Sequence, residues 1–209
     1  KMRQGIFILG KLFSYLFPQN VCNMWNSIRV RLFTGYKSRF FNHLGKNSTL
    51  GKHTTYLGEQ YISIGEKSHI GDYGRLTAYD HYLHTQQQFT PQIIIGNNCS
   101  IGVQSHISAI NRIKIGNNVL TGPRVLITDN SHGETTSESL NTPPYMRPLL
   151  SKGEVVIEDN VWIGEGAMIM PNVHIGKGAI IACNSVVTTD IPSYSLAAGS
   201  PATIIKSFK

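Results

Sequence analysis

Aliphatic side chains recur at every sixth residue over a long stretch of this chain. Ile157, Ile163, Ile169, Ile175, Ile181 and Val187 follow one another at intervals of six without a break. An earlier series runs Ile95, Ile101, Ile107, Ile113 and, after a slip of two, Ile115, Thr121, Ile127; a third fragment is Ile64, Ile70, Leu76. An amphipathic helix needs a period of 3.6 and an alternating strand a period of two, so neither accounts for six. A chain that makes a short strand, turns a corner and points one aliphatic side chain inward from each flat face does account for it. Three hexads then close a triangular coil, and successive coils stack by parallel strand pairing about 4.8 Å apart. Gly164, Gly166, Gly176, Gly178 and Asn160 stand at or near the expected corners, and Gly and Asn are the residues that tolerate left-handed backbone there.

The chain has 209 residues, of which 41% are hydrophobic and 15% charged, enough to bury one substantial core and too apolar for disorder. Cys22, Cys99 and Cys183 are an odd set without CxxC spacing, so no disulfide framework or zinc knuckle is expected and a reducing cytoplasm fits. The net charge of +7 is unevenly spread. Residues 1–58 hold nine cations, from Lys1 and Arg3 to Lys46 and Lys52, and no acid; the remainder holds ten basic and twelve acidic residues. The same segment carries Ile6-Phe7-Ile8-Leu9, Leu12-Phe13, Tyr15-Leu16-Phe17, Trp25 and Phe40-Phe41. Lys11 and Pro18 interrupt it well short of the roughly 20 apolar residues a membrane span requires. Pro18-Gln19-Asn20 supplies no small-residue cleavage site of a secretory signal. Two readings remain: a helical cap packed on the domain, or a peripheral arm on an anionic membrane. Nucleic acid is not expected, since no reading motif accompanies the charge.

The fold class expected is mainly β, a parallel β-helix of hexapeptide repeats. Residues 1–44 form a basic, apolar helical or irregular segment; 45–190 form the β-helix, interrupted near 79–91 and by a long excursion over 128–154; 191–209 form a C-terminal segment. Long loops in a compact domain usually carry function, which directs attention to the excursion.

The ordered series of hexads, Ile115-Gly116-Asn117-Asn118-Val119, then Asp129-Asn130-Ser131-His132, Val161-Trp162-Ile163-Gly164 and the closing Ala197-Ala198-Gly199-Ser200-Pro201-Ala202, resembles the hexapeptide-repeat acyltransferases over residues 95–206. That group includes galactoside, maltose and serine acetyltransferases and enzymes acting on bacterial polysaccharides. The resemblance implies a left-handed coil, homotrimers with sites between subunits, and acetyl-coenzyme A as acyl donor without a metal. It also implies a catalytic histidine seventeen residues beyond Ile115, which is His132. An acceptor hydroxyl attacks a thioester poorly until a base removes its proton, and neutral imidazole suits that task. A backbone N–H of the Gly164-Glu165 corner would meet the developing oxyanion. Either Glu134 or a main-chain carbonyl would orient the imidazole.

For the donor, the resemblance points to Trp162 beside the pantetheine arm, backbone groups of Gly164, Glu165, Ala182 and Cys183 on its amides, Pro201 and Ala202 at the adenine, and Lys206 at the phosphates. Two departures stand out: Cys183 replaces a usual alanine, and Thr189 a phosphate-contacting lysine, leaving more of that role to Lys206. His81, His84, His106 and Asn130 are candidates for the acceptor side. The expected acceptor is a sugar hydroxyl of a surface polysaccharide or its precursor, reached in the cytoplasm, with peripheral contact at the inner membrane face if the N-terminal segment is an arm. The alternatives are a small soluble acceptor such as a galactoside, serine or an antibiotic, or a non-enzymatic scaffold. A γ-class carbonic anhydrase on the same architecture would need a His-x4-His pair, and no two histidines here are five residues apart.

Overall fold

Three sheets, two of six strands and one of seven, form the sides of a triangular prism, all parallel except that the seventh strand of the largest, Ala202–Ser207, runs antiparallel at its edge. The chain visits them in strict rotation. The first face contains strands at His43–Leu44, Ile62–Ile64, Gln92–Ile95, Arg112–Ile115, Val155–Ile157 and His174–Ile175. The second runs from His69–Ile70 to Ser195–Gly199, and the third from Thr55–Leu57 to Val186–Val187. The computed structural model describes residues 2–208; Lys1 and Lys209 lie outside the described residues.

The repeat explains the core. Ile64, Ile95, Ile115, Ile157 and Ile175 are consecutive Cα partners up the first face. Leu76, Ile107, Ile127, Ile169 and Val187 are the same up the third. All are buried in one continuous cluster. Corner residues take left-handed backbone where the sequence offers asparagine, at Asn98, Asn118 and Asn160 with φ of 54°, 56° and 60°. Their side chains form a ladder, with Asn98 Nδ2 donating to Asn118 Oδ1 (3.3 Å) and Asn118 Nδ2 to Asn160 Oδ1 (3.0 Å). Beside it Asp159 Oδ1 accepts the Asn117 N–H at 2.6 Å, which holds the Asp159 carboxyl below the usual carboxylate range. Gly164 shows why some corners need glycine: a Cβ there would stand 2.5 Å from the Cys183 nitrogen of the next coil.

The slip of two in the isoleucine series is a property of one vertex. Ile113 and Ile115 lie on the same strand and both point inward. The steps from third face to first are eight residues from Tyr56 to Ile64, nineteen from Leu76 to Ile95, eight from Ile107 to Ile115 and thirty from Ile127 to Ile157. Only the step from Ile169 to Ile175 is six. Every insertion therefore leaves the prism at the third-to-first vertex, where the insertions of successive coils are stacked on one another.

The N-terminal segment divides into two helices with different surroundings. Helix α2 (Gln19–Ser38) docks through its second half on the open end of the first coil: Thr34 is buried and its Oγ1 accepts the Leu50 N–H at 3.0 Å, and Lys37 Nζ bonds Glu59 Oε1 at 2.6 Å. Phe33 packs against the core cluster, and Phe41 meets Tyr56 edge to face at 5.6 Å. Helix α1 (Met2–Leu16) has no buried side chain among those described. No described helix is long and apolar enough to cross a membrane.

Candidate active site at the inserted vertex

The insertion at 79–91 is a hairpin, with His81–Tyr82 antiparallel to Gln87–Gln88. The excursion is closed at its neck in the same way, Ser131–His132 pairing with Leu149–Leu150 so that His132 stands opposite Leu149. The Gln87 amide joins the two: Gln87 Nε2 donates to Leu149 O at 3.0 Å and Gln87 Oε1 accepts the Leu149 N–H at 2.8 Å. The Tyr82 hydroxyl donates to the Tyr145 carbonyl. The rings follow in a chain, each meeting the next edge to face: His132 to Tyr82 at 5.7 Å, Tyr82 to His84 at 5.3 Å, His84 to Tyr145 at 5.4 Å.

The root of the excursion is fixed to the coil beneath it. Asp129 is fully buried, its Oδ1 and Oδ2 accepting the N–H groups of Ile110 and Asn111, both at 2.9 Å. These are backbone donors freed by the two-residue widening of that coil. Asn130 Nδ2 donates to Ser108 O at 3.1 Å and to Asp129 Oδ1 at 3.1 Å, so its amide is engaged within the vertex.

His132 is exposed and, among the described residues, its ring nitrogens form no hydrogen bond; neither Glu134 nor a main-chain carbonyl of the described chain holds it. It borders a cleft of about 650 Å³ lined by Glu134, Leu140, Arg147, Leu150 and Lys152. On the other side of Tyr82 lies a hollow of about 550 Å³ between Leu57, Glu59, Ala78, Asp80, His81 and His84. There His81 Nδ1 bonds Asp80 Oδ1 at 2.6 Å, the main reason the Asp80 carboxyl lies below its usual range, and the Tyr61 hydroxyl approaches Asp80 Oδ2 at 3.3 Å. His106 is elsewhere, on the outer side of the third face between Arg75 and Leu126. Burial, and then the Arg75 charge, lowers its pKa, and its Nε2 is buried without a partner.

The residues expected at the donor occupy a different part of the prism. Trp162 projects from the second face, half exposed, between Leu120 and Ile180. Gly164, Glu165, Ala182 and Cys183 form the second-to-third vertex of two successive coils. The Gly164 N–H is given to Ile181 O at 2.7 Å and the Ala182 N–H to Ala197 O at 2.9 Å. The outward donors are thus the N–H groups of Glu165 and Cys183, for which the described residues provide no acceptor. Pro201 and Ala202 lie at the turn between the antiparallel strands Ser195–Gly199 and Ala202–Ser207, with Ala202 buried and Pro201 exposed. Lys206, on the second of these strands, projects over the Phe208 ring at 5.0 Å. Within the chain this set and His132 are separated by the width of the third face.

A family model described as "Bacterial transferase hexapeptide (six repeats)" matches residues 154–189. Among curated proteins the chain is 38% identical over 120 residues to the "Putative lipopolysaccharide biosynthesis O-acetyl transferase WbbJ" of Escherichia coli K12, covering 56% of this chain and 61% of that one. With a chloramphenicol acetyltransferase of Morganella morganii it is 33% identical over 148 residues, covering 69% of this chain and 67% of the relative. The chain belongs to the hexapeptide-repeat transferase family. It spans 61% and 42% of the first two curated relatives it matches, less than two thirds of either. The fold is shared with AntD, an N-acyltransferase from Bacillus cereus solved with dTDP and coenzyme A, at a TM-score of 0.67 and 21% identity over 84% of this chain and 89% of that one.

As a hexapeptide-repeat transferase it coils left-handedly, against the right-handed rule for parallel crossovers. No group of three or more His, Cys, Asp or Glu side chains among the described residues is arranged to hold a metal ion. Sequence reasoning assigned no role to Tyr82, Gln87 and Tyr145 at this vertex, nor to the Asp129 carboxylate within its signature stretch. The available signal was the interval between inward residues, which departs from six only at third-to-first steps.

Proposed function

We propose that the chain is an acetyl-coenzyme A-dependent O-acetyltransferase acting on a sugar hydroxyl of a bacterial surface polysaccharide or its precursor, with His132 as general base. The observation that carries this reading is the placement of His132: an exposed imidazole, fixed through its backbone by the Leu149 pairing and through its ring by Tyr82, at the edge of a cleft of about 650 Å³. Neutral imidazole takes the proton of the acceptor hydroxyl as its oxygen attacks the thioester carbonyl, and returns that proton to the departing thiolate. The N–H groups of Glu165 and Cys183 suit the amides of the donor or the developing oxyanion, and exposed Trp162 offers an apolar wall. The likeness to WbbJ supports a polysaccharide acceptor; the longer match to chloramphenicol acetyltransferase makes a small soluble acceptor the second reading.

Because His132 and the donor set stand on different vertices, we infer that a second copy completes each site in a homotrimer. The outer row Leu120, Trp162, Ile180 and Leu196 supports this as an apolar ladder on the outside of the prism. The reaction belongs in the cytoplasm, where Cys22, Cys99 and Cys183 stay free, at the inner face of an anionic membrane.

Nucleotide-linked and lipid-linked sugars, and chloramphenicol, are to be screened with acetyl-labelled acetyl-coenzyme A. Label is expected in a sugar hydroxyl, with turnover falling about 10² to 10⁴-fold in His132→Ala while coenzyme A binding is unchanged. Wild-type turnover in that variant would remove His132 from the mechanism, and failure of the wild-type protein to bind coenzyme A would favour a scaffold.

A further inference from the structure

Helix α1 presents a run of large apolar side chains to solvent. Ile6, Phe7, Leu9, Leu12, Phe13 and Leu16 are exposed by between 56% (Leu12) and 74% (Phe7), and Ile8, Tyr15 and Phe17 are exposed as well. A soluble monomer rarely leaves so many contiguous large side chains uncovered without a partner.

The pattern around the helix identifies that partner. At 100° per residue, Ile6, Ile8, Leu9, Leu12, Phe13, Tyr15 and Leu16 fall on one arc of about half the circumference. Arg3, Gln4, Lys11 and Ser14 share the remaining arc with Phe7. Neither α1 nor α2 contains an acidic residue, and α2 adds Arg29, Arg31 and Lys37. A protein partner of matching shape would have to be both apolar and acidic, and no acid exists within residues 1–58 for a neighbouring copy's N-terminal segment to supply. A bilayer with anionic headgroups offers both properties at one surface, hydrocarbon below and negative charge at the level of Arg3 and Lys11. Fifteen residues with Lys11 in the middle do not span; they lie flat.

We propose that α1 is an interfacial helix that inserts its apolar arc into the surface of an anionic membrane, and that α2 is the rigid strut joining it to the β-helix. The two earlier readings of the N-terminal segment then apply to different helices: the second half of α2 caps the coil, and α1 is the arm. The further strut contact is Lys52 Nζ to Asn26 Oδ1, which ties the middle of α2 to the same coil. This rests on the reading above only for the purpose of the contact, which would bring the site to a lipid-linked acceptor; the contact itself is independent of acetyl transfer.

The test is co-sedimentation of the full chain with vesicles of phosphatidylcholine, or of phosphatidylcholine with three-tenths phosphatidylglycerol, at low and high salt. Binding is expected to the anionic vesicles, to weaken about tenfold or more at high salt, and to fall at least tenfold in Leu9→Glu/Leu16→Glu. His132→Ala should bind as the wild type does, so that loss of acetyl transfer and loss of lipid binding are separable. No lipid-dependent pelleting at low salt would overturn the proposal. So would a double variant that still binds vesicles but sediments as a smaller assembly without lipid, because the apolar arc would then cover a second copy.

Discussion

Asp129 is a carboxylate with no exposed surface, tolerated because three donors converge on it. Asp129→Ala leaves the Ile110 and Asn111 N–H groups unpaired at about 1–3 kcal/mol each, and a fall in unfolding free energy of that order is expected by urea titration. A variant as stable as the wild type would mean that water replaces the carboxylate. His106 gives a pH prediction. Its folded pKa lies below its ordinary value, so the unfolded chain binds the proton more readily and stability is lost as pH falls through the ordinary histidine range. The His106→Gln variant should show a flatter melting temperature between pH 7 and 5 than the wild type; an unchanged profile would remove His106 from the acid response. The stretch Asp129-Asn130-Ser131-His132 was legible as a signature. The service of Asp129 to a coil 18 and 19 residues earlier was not, because such partners depend on coil length at one vertex.

At the scale of elements, the hairpin and the excursion behave as one unit held by Gln87, Tyr82 and Tyr145. Gln87→Ala removes both hydrogen bonds to Leu149 while leaving the prism untouched. Its kcat/KM is expected to drop about tenfold, with faster amide hydrogen exchange over 131–150 and no change in global unfolding. Wild-type exchange there would show that the ring contacts suffice. The regular hexads made the strands legible, since one inward aliphatic per face fixes both register and burial. The contact between residues 81–84 and the excursion was legible only as proximity to an interruption, because loop conformation carries no period.

On the scale of the whole molecule, the prism separates the two proposed sets of site residues by geometry. His132 stands at the third-to-first vertex and the Glu165 and Cys183 donors at the second-to-third, a face of six residues apart, at most about 20 Å. The sequence named both sets of residues without showing that one subunit keeps them apart; that follows only from which vertex each insertion leaves. The N-terminal segment was legible as helical and basic, whereas its division into a docked and an undocked helix depends on Thr34 reaching Leu50. The central claim, a site shared between copies, is tested by complementation: His132→Ala and Trp162→Ala/Lys206→Ala proteins are unfolded, mixed in equal amounts, refolded and assayed for acetyl transfer. Each preparation alone should be nearly inactive, and the mixture should recover about a quarter of wild-type activity, since in a cyclic trimer that fraction of interfaces pairs an intact histidine with an intact donor groove. Mixed oligomers that form and show no recovery would place both sets in one subunit and contradict the account.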